Sequence, residues 1–326
     1  MRIRLLREAG GVGDVLCALG CATAIKRARP DAHVGFYTLD CYKDLVALCP
    51  DVDLSVSVAY ATRRDRDQLP DPRRHRYLRD GRWSATVDLF CPGWKHEWAT
   101  QGDVVKGRPE LFCETAAGTT GLDLQPTPPR IALTDYERGV GEGWLRGSGL
   151  RFERPIVALQ PQANLRARQW PEARWAETVE LLRQQIPGVQ FICFGTRIEA
   201  RDLAVGLKTV PAIFLPYPLA AAVLARCAVL VGVDSGFYHL AAALSVPAVG
   251  IFGVTGGAST SAVYSKSVYL EAGDAERVKA GCACARHCYN MMSAGKQARC
   301  NTDPCPAMAE ILPELVVNYT LSRLAV

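Results

Sequence analysis

The segment from Val231 to Thr255, VGVDSGFYHLAAALSVPAVGIFGVT, limits the possible folds of this chain more than any other stretch. It reads as an apolar strand, an acidic-glycine turn, an Ala/Leu-rich helix and a second apolar strand. Asp234, Ser235 and Gly236 fall where the first strand ends and the helix begins, and His239 lies one turn after Ser235. Unpaired backbone N–H groups and the helix dipole favour an anion at such a point. The segment predicts a βαβ unit that either binds a phosphate or merely caps its helix with Asp and Ser.

Length and composition indicate a reduced, cytoplasmic protein of two domains. A chain of 326 residues is large for one core, and no charge-free run approaches the roughly 20 residues of a membrane helix. The start, MRIRLLREAGGVGD, reaches glycine and charge too early for a signal peptide. Many of the 13 cysteines are scattered through predicted strands and helices, where free Cys acts as a small apolar residue.

The net charge of +5 is distributed unevenly. Residues 63–82 hold eight Arg against four Asp, with two prolines and no apolar periodicity, which predicts a loop. The loop is either a solvated surface segment or a clamp for a phosphate-bearing acceptor, since Arg forks fit phosphate oxygens.

Strand and helix signals alternate twice along the chain, which predicts parallel sheets with helices on both faces. A Gly/Pro-rich stretch at 118–130 separates the two series. We therefore expect an α/β protein of two Rossmann-like, doubly wound domains, residues 1–150 and 151–326, facing a shared cleft. Ligands of such sheets bind at the carboxyl ends of the strands.

The first strand-end loop, GGVGD, holds Gly13 and Asp14. Its glycines permit close approach of a ligand, but Leu16 stands where a dinucleotide fingerprint needs its last glycine. A carboxylate at a strand tip is well placed to be a general base.

Two further strand-end loops follow in the second half. Gln162 and Asn164 offer amide groups and Arg168 offers positive charge, a combination that suits a diphosphate. Glu199, after the next strand, either binds ribose hydroxyls or caps a surface helix.

Three stretches, GVGDVLCALGCATAIKRARPDAHVGF, LQPQANLRARQWPEARWAETVELL and the opening segment, resemble the ADP-heptose heptosyltransferase family. The resemblance implies the two-domain GT-B fold, an ADP-heptose donor, and a glycan, lipid-linked or protein acceptor. It implies that Asp14 is the catalytic aspartate, that Arg168 replaces the usual Lys, and that Glu199 binds the nucleoside. The family's D-[ST]-G-x-x-H signature falls on Asp234, Ser235, Gly236 and His239.

This chain departs from the family in two loops on the donor side. Gly253-Val254-Thr255 replaces the usual GPT, and Gln162-Ala163-Asn164 replaces a hydroxyl-rich loop. The transferred sugar is therefore a heptose or another sugar.

Five cysteines fall within the 24 residues of a Cys-rich segment, 282–305: Cys282, Cys284, Cys288, Cys300 and Cys305. Soft ligands in a Gly/polar loop favour a structural zinc or iron site, and the segment broadly resembles the cysteine finger of autotransporter heptosyltransferases. Reduced thiols or a single disulfide are the alternatives. Asp51-Val52-Asp53 superficially matches a metal-binding DxD motif, but its position after Cys49-Pro50 predicts a turn.

The sequence thus predicts an inverting glycosyltransferase whose chemistry needs no metal. Asp14 takes the acceptor proton, while Arg168 and the helix N-terminus at Ser235 and Gly236 stabilise the departing diphosphate. One alternative is a transferase acting on modified nucleic-acid bases, although no nucleic-acid-binding motif supports it. Another is a nonenzymatic protein that binds nucleotide-sugars or senses a metal.

Overall fold

The computed structural model describes residues 1–8, 10–58, 81–89, 107–163, 168–196, 198–253, 256–272 and 305–324. The chain divides into two compact units. One comprises Met1–Gly93 with Arg108–Ala132, and the other Trp94–Gly107 with Leu133–Val326. Each unit is built on its own parallel sheet.

The first unit has a four-stranded sheet in the order β3-β2-β1-β4. Its strands are β1 (Arg2–Arg7), β2 (His33–Leu39), β3 (Leu54–Val58) and β4 (Ala85–Asp88), and its helices are Val12–Ala28, Asp40–Ala47 and Arg108–Thr120. The apolar strand β1 is central, pairing Leu5 with Phe36 of β2 and with Val87 of β4. Helix Val12–Ala28 is buried from Val15 to Ile25, so the core lies between this helix and the sheet.

The second unit has a six-stranded parallel sheet in the order β10-β9-β8-β5-β6-β7. Its strands are β5 (Ile156–Gln160), β6 (Gln190–Gly195), β7 (Val210–Ile213), β8 (Val229–Val233), β9 (Ala248–Phe252) and β10 (Ser267–Glu271). Its helices are Asp135–Gly147, Glu172–Gln185, Ile198–Gly206, Tyr217–Leu224, Gly236–Ala243, Ala258–Ser261, Pro306–Ala309 and Pro313–Leu324. Strand order reverses between β5 and β8, which creates the switch point where doubly wound sheets bind ligands.

The core of the second unit extends to the C-terminal helix. Trp170 and Trp175 pack edge to face with ring centroids 5.2 Å apart. The indole N–H of Trp170 donates to the carbonyl of Ile311 at 3.1 Å, just before helix Pro313–Leu324. That helix buries Val316 and Val317 in the same core as the two tryptophans. The C-terminal residues therefore belong to the fold of this unit.

Helix Asp135–Gly147 belongs to the second unit, whereas the sequence analysis sets the domain boundary at residue 150. It packs on helix Tyr217–Leu224 so closely that a Cβ at Gly141 would lie 2.8 Å from the backbone of Ala222. The stretch before it lies on the first unit, where the N–H of Ala132 donates to the carbonyl of Leu48 at 2.8 Å. The compact units consequently meet in sequence at Ala132 and Leu133.

The predicted fold class is confirmed, because both units are doubly wound parallel-sheet domains. The alternating apolar runs of the sequence predict strands at Arg2–Arg7, Leu54–Val58, Ile156–Gln160 and Val229–Val233, and these are the bounds of β1, β3, β5 and β8. Among the described residues, no helix is long and apolar enough to cross a membrane.

Candidate functional site

Asp14 lies in the first turn of helix Val12–Ala28, directly after the end of the central strand β1. Its Oδ2 accepts a hydrogen bond from the backbone N–H of Gly11 at 3.0 Å, and its own N–H donates to the carbonyl of Gly11 at 3.0 Å. About one fifth of the Asp14 side chain is exposed. Gly13 lies beside it in the same turn, so the loop presents a partly exposed carboxylate at the carboxyl end of the sheet.

Gly10 makes this arrangement possible. Its φ of +93° lies in the left-handed region, and an added Cβ would collide with Oδ2 of Asp14 and lie 2.8 Å from Nη2 of Arg7. A side chain at this position would therefore meet both steric and conformational strain. Close packing against the Asp14 carboxylate therefore explains the glycine at position 10 of the motif.

Two buried arginines flank Asp14. Nη1 of Arg108 donates to Oδ1 of Asp14 at 2.8 Å, and Nη2 of Arg7 lies 3.7 Å from the same oxygen. Arg7 also donates to the carbonyl of Leu89 at 2.8 Å, and its guanidinium lies 5.4 Å from the ring centre of Phe112. The positive charges favour the ionised form of the carboxylate.

A second group of predicted residues meets at the switch point of the second unit. Asp234 directly follows β8, and its Oδ2 lies 3.4 Å from Nε of Arg168. Asp234 is buried, and 17% of the Arg168 side chain is exposed. The pair joins the loops after β5 and β8, the two neighbouring strands at which the strand order reverses.

Several side-chain polar atoms at the same switch point are buried without a hydrogen-bond partner among the described residues, and two of them belong to predicted site residues. They are Oε1 of Gln162, two residues after β5, and Oγ of Ser235, two residues after β8. Ser235 is also the N-cap of helix Gly236–Ala243. Because a buried polar atom without a partner costs free energy, both atoms are suited to pair with a ligand.

His239 has a different environment from its neighbours in the motif. It is 1% exposed, and its Nδ1 lies 2.8 Å from the hydroxyl of Tyr264. Nearby, burial raises the pKa of Tyr238 to about 12, and this hydroxyl donates to the carbonyl of Val268. The buried His239 therefore connects helix Gly236–Ala243 to Tyr264 inside the second unit.

Two further predicted residues, Asn164 and Glu199, follow β5 and β6 along the chain. Glu199 is exposed in the first turn of helix Ile198–Gly206, after β6, and Asn164 lies outside the described residues. The predicted turn at Asp51–Asp53 is confirmed. Asp51 accepts from the Thr23 hydroxyl at 2.8 Å, and Asp53 binds Lys26.

Of the predicted cysteine ligands, Cys305 is described and is 1% exposed. The other four, Cys282, Cys284, Cys288 and Cys300, lie outside the described residues, as does most of the Arg-rich segment at 63–82. Within the described part of the chain, no group of three or more His, Cys, Asp or Glu side chains could hold a metal ion.

Sequence reasoning missed three residues that define these surroundings: Arg7, Arg108 and Tyr264. Arg7 directly follows the apolar pair Leu5-Leu6 at the end of strand RIRLLR, and a charged residue in so buried a position is a usable signal. Arg108 is separated from Asp14 by 94 positions, and no local pattern links the two.

Comparison with known proteins relates the chain to one family. The model of glycosyltransferase family 9 (heptosyltransferase) matches residues 69–287. Lipopolysaccharide heptosyltransferase 1 of Pseudomonas aeruginosa is 38% identical over 317 residues, an alignment that covers 83% of this chain and 83% of that protein.

Solved structures share the fold at low sequence identity. ADP-heptose lipopolysaccharide heptosyltransferase II of E. coli has a TM-score of 0.69 and 16% identity, covering 100% of this chain and 99% of that one. The iron-containing dodecameric glycosyltransferase TibC of enterotoxigenic E. coli has a TM-score of 0.62 and 16% identity, covering 100% and 78%. These likenesses identify the fold as GT-B, and the sequence matches identify the family. The chain is an enzyme that belongs to glycosyltransferase family 9, the heptosyltransferases.

Proposed function

We propose that this enzyme transfers a heptose from ADP-heptose to an acceptor hydroxyl with inversion at the anomeric carbon, and that Asp14 is the general base. The observation that carries the proposal is the partly exposed Asp14 carboxylate, held at the carboxyl end of β1 by a backbone N–H and an arginine. A protein that only bound a nucleotide-sugar would have no use for such a base. Membership of an enzyme family argues against the nonenzymatic alternative.

The transfer requires one proton acceptor and one leaving-group site. The acceptor oxygen attacks the anomeric carbon and bonds to it, while the bond from that carbon to the diphosphate oxygen breaks and ADP leaves with the electron pair. Asp14 takes the hydroxyl proton. Each carboxylate oxygen has two lone pairs, so Oδ1 and Oδ2 can accept this proton while they keep their bonds to Arg108 and Gly11.

The switch point of the second unit supports binding of the diphosphate. Arg168 supplies positive charge, and the backbone N–H groups at Ser235 and Gly236 begin a helix of eight residues. Both features attract negative charge, which grows on the diphosphate as the bond to the sugar breaks. The unpartnered Oγ of Ser235 offers a further hydrogen bond, and Glu199 is the candidate for the ribose.

The names of the related proteins support one chemical class of acceptor. The related proteins of P. aeruginosa and E. coli act on lipopolysaccharide by name, so we propose a lipopolysaccharide or another glycan as acceptor. The loops at Gln162 and Gly253 differ from those of the family on the donor side. The identity of the transferred sugar should therefore be tested first.

The cysteine cluster fits a structural metal by its donor set. Five thiols within 24 residues include Cys305, which is buried beside the second-unit core, and a solved structure of similar fold is described as iron-containing. Cys282, Cys284, Cys288, Cys300 and Cys305 would hold zinc or iron as thiolates and would stabilise the fold there.

The experiment offers the purified enzyme ADP-heptose, UDP-glucose and GDP-mannose separately, with a heptose-free lipopolysaccharide core as acceptor. Mass spectrometry should show the gain of one heptosyl unit with ADP-heptose alone. Transfer of glucose or mannose in preference to heptose would overturn the donor assignment.

A further inference from the structure

The first unit contains an ion pair between the proposed general base, Asp14, and the buried Arg108. Nη1 of Arg108 lies 2.8 Å from Oδ1 of Asp14, which is the length of a strong charge-assisted hydrogen bond. Both residues lie in the first turns of their helices, Val12–Ala28 and Arg108–Thr120, and these helices pack against each other. Backbone segments far apart in sequence therefore fix both ends of the bond.

Arg108 is too buried to bind an acceptor. Its side chain is 9% exposed, whereas that of Asp14 is 20% exposed. A ligand that approaches this end of the sheet has more access to the carboxylate than to the guanidinium. The arginine is thus placed to act on the reaction through Asp14.

Arg7 has a different function from Arg108. It is 3.7 Å from Oδ1 of Asp14, beyond hydrogen-bond distance, and its Nη1 is used by the carbonyl of Leu89. Its guanidinium also covers the ring of Phe112. Arg7 thus connects the end of β1 to the residue after β4 and to helix Arg108–Thr120, and it adds positive charge near Asp14. Arg108 instead donates directly to the carboxylate and sets its direction.

We propose that Arg108 is a positioning residue of the transfer reaction, which holds Oδ1 of Asp14 so that the carboxylate is aimed and ionised for proton removal. The inference rests on the proposed role of Asp14 as general base. A carboxylate on a single Cβ rotates about χ1 and χ2 unless its oxygens are held, and an error of 1 Å in the position of a reacting group can cost about 100-fold in rate. Gly11 holds Oδ2 and Arg108 holds Oδ1, which fixes both angles.

Charge gives the proposal a second consequence. A cation beside a carboxylate keeps it ionised at lower pH, and a base must be ionised to act. The charged or titratable residues described near the carboxyl ends of β1, β2 and β4 or near the starts of helices Val12–Ala28 and Arg108–Thr120 include Arg7, Glu8, Cys17, Asp40, Asp88 and Glu110. Most of these are acidic, so Arg108 and Arg7 supply the positive charge that offsets them.

The test compares Arg108→Met, Arg108→Lys and the control Arg130→Met in the full-length enzyme. Arg130 pairs with Asp51 at 3.4 Å in the same unit but is 57% exposed and has no contact with Asp14 among its described interactions.

We expect Arg108→Met to lower kcat by about 10- to 100-fold with an unchanged donor KM, and to move the acid limb of the kcat/KM profile to higher pH. Arg108→Lys should keep the acid limb at the parent's pH, because the lysine ammonium retains the positive charge. Its kcat should stay below that of the parent, because lysine lacks the planar guanidinium that fixes the direction of the hydrogen bond to Asp14. Arg130→Met should match the parent.

A coupling measurement separates this inference from the proposed function. If Arg108 acts through Asp14, adding Arg108→Met to Asp14→Asn should slow the enzyme no further. Equal and independent losses from the two changes would overturn the positioning role, as would an Arg108→Met profile that matches Arg130→Met. If Arg108→Met fails to fold, Arg108→Lys decides, since parental kcat in that variant would contradict the proposal. Near-normal turnover of Asp14→Asn would instead refute the general base itself.

Discussion

Arg168 and Asp234 form an ion pair, 3.4 Å from Nε to Oδ2, across the loops of β5 and β8 in the second unit. The two strands are neighbours in the sheet, although about 70 residues separate them in sequence. The pair preorganises a cation at the switch point of the sheet. A guanidinium held at this point is placed to attract a diphosphate.

Replacing Arg168 with Ala should weaken ADP binding more than adenosine binding. Loss of a charge-assisted contact to a diphosphate should cost about 1.5–3 kcal/mol for ADP and little for the nucleoside. Calorimetric titration of both ligands measures the difference. Arg183→Ala is the control, because Arg183 lies in the same unit and bonds the carbonyls of Leu207 and Lys208. Equal losses for ADP and adenosine would show that Arg168 does not contact phosphate.

Replacing Tyr264 with Phe should destabilise the second unit without abolishing turnover. The variant removes the hydroxyl that lies 2.8 Å from buried His239, and loss of a buried hydrogen bond costs about 1–3 kcal/mol. Urea unfolding measures the loss, with Tyr136→Phe as the control because that ring is 77% exposed. Unchanged unfolding with a large loss of donor binding would show that His239 contacts the ligand instead.

Replacing Asp53 with Asn should lower stability at neutral pH and have less effect in acid. Burial raises the pKa of Asp53, but hydrogen bonds from Lys26 and the Val34 N–H outweigh it and hold the pKa below its ordinary value. A depressed carboxyl pKa contributes stability that is present above the unfolded value and is lost as pH falls through the folded value. Because the side chain is about one third exposed, we expect a loss of only about 0.5–1.5 kcal/mol at pH 7.

Melting temperatures of Asp53→Asn and the parent at about pH 7 and pH 3 test this pH dependence. Asp31→Asn is the control, since Asp31 pairs with Arg29 on the surface of the same unit. A difference between Asp53→Asn and the parent that stays constant across the pH range would contradict the assignment.

The cysteine cluster should carry about one zinc or iron per chain, measured by elemental analysis. Removing the metal with a chelator should lower the melting temperature, because binding free energy adds to folding free energy. Cys305→Ser should reduce the metal content. Cys227→Ser is the control and should leave the metal content unchanged, because Cys227 is a buried free cysteine outside the 282–305 segment. Metal-free protein with an unchanged melt would favour reduced thiols.

Local patterns predicted the strands of both sheets well, but they did not predict the helix that follows the boundary between the units. Apolar runs bounded by polar turns predicted strands such as Ile156–Gln160, because buried parallel strands are continuously apolar. Helix Asp135–Gly147 was missed despite a readable signal: Thr134 and Glu137 form a capping box. Its four glycines conceal the helix, and one of them, Gly141, is required by close packing on Ala222.

The motif residues of the candidate site were predicted, but their surroundings were not. Asp14, Asp234 and Ser235 lie between a strand and the first turn of the following helix, a position that the strand-turn-helix pattern predicted. The partners Arg108 and Tyr264 come from segments brought near by the tertiary fold, and no periodicity within one sequence encodes such long-range pairs.

The most direct test of the account is the turnover of Asp14→Asn with ADP-heptose, measured together with its affinity for ADP. The amide keeps the shape of the side chain but cannot take the acceptor proton, so we predict that kcat falls by at least about 100-fold. ADP affinity should stay within about twofold of the parent, because Arg168 and Ser235 are unchanged. Near-normal turnover would contradict the assignment of Asp14 as the general base.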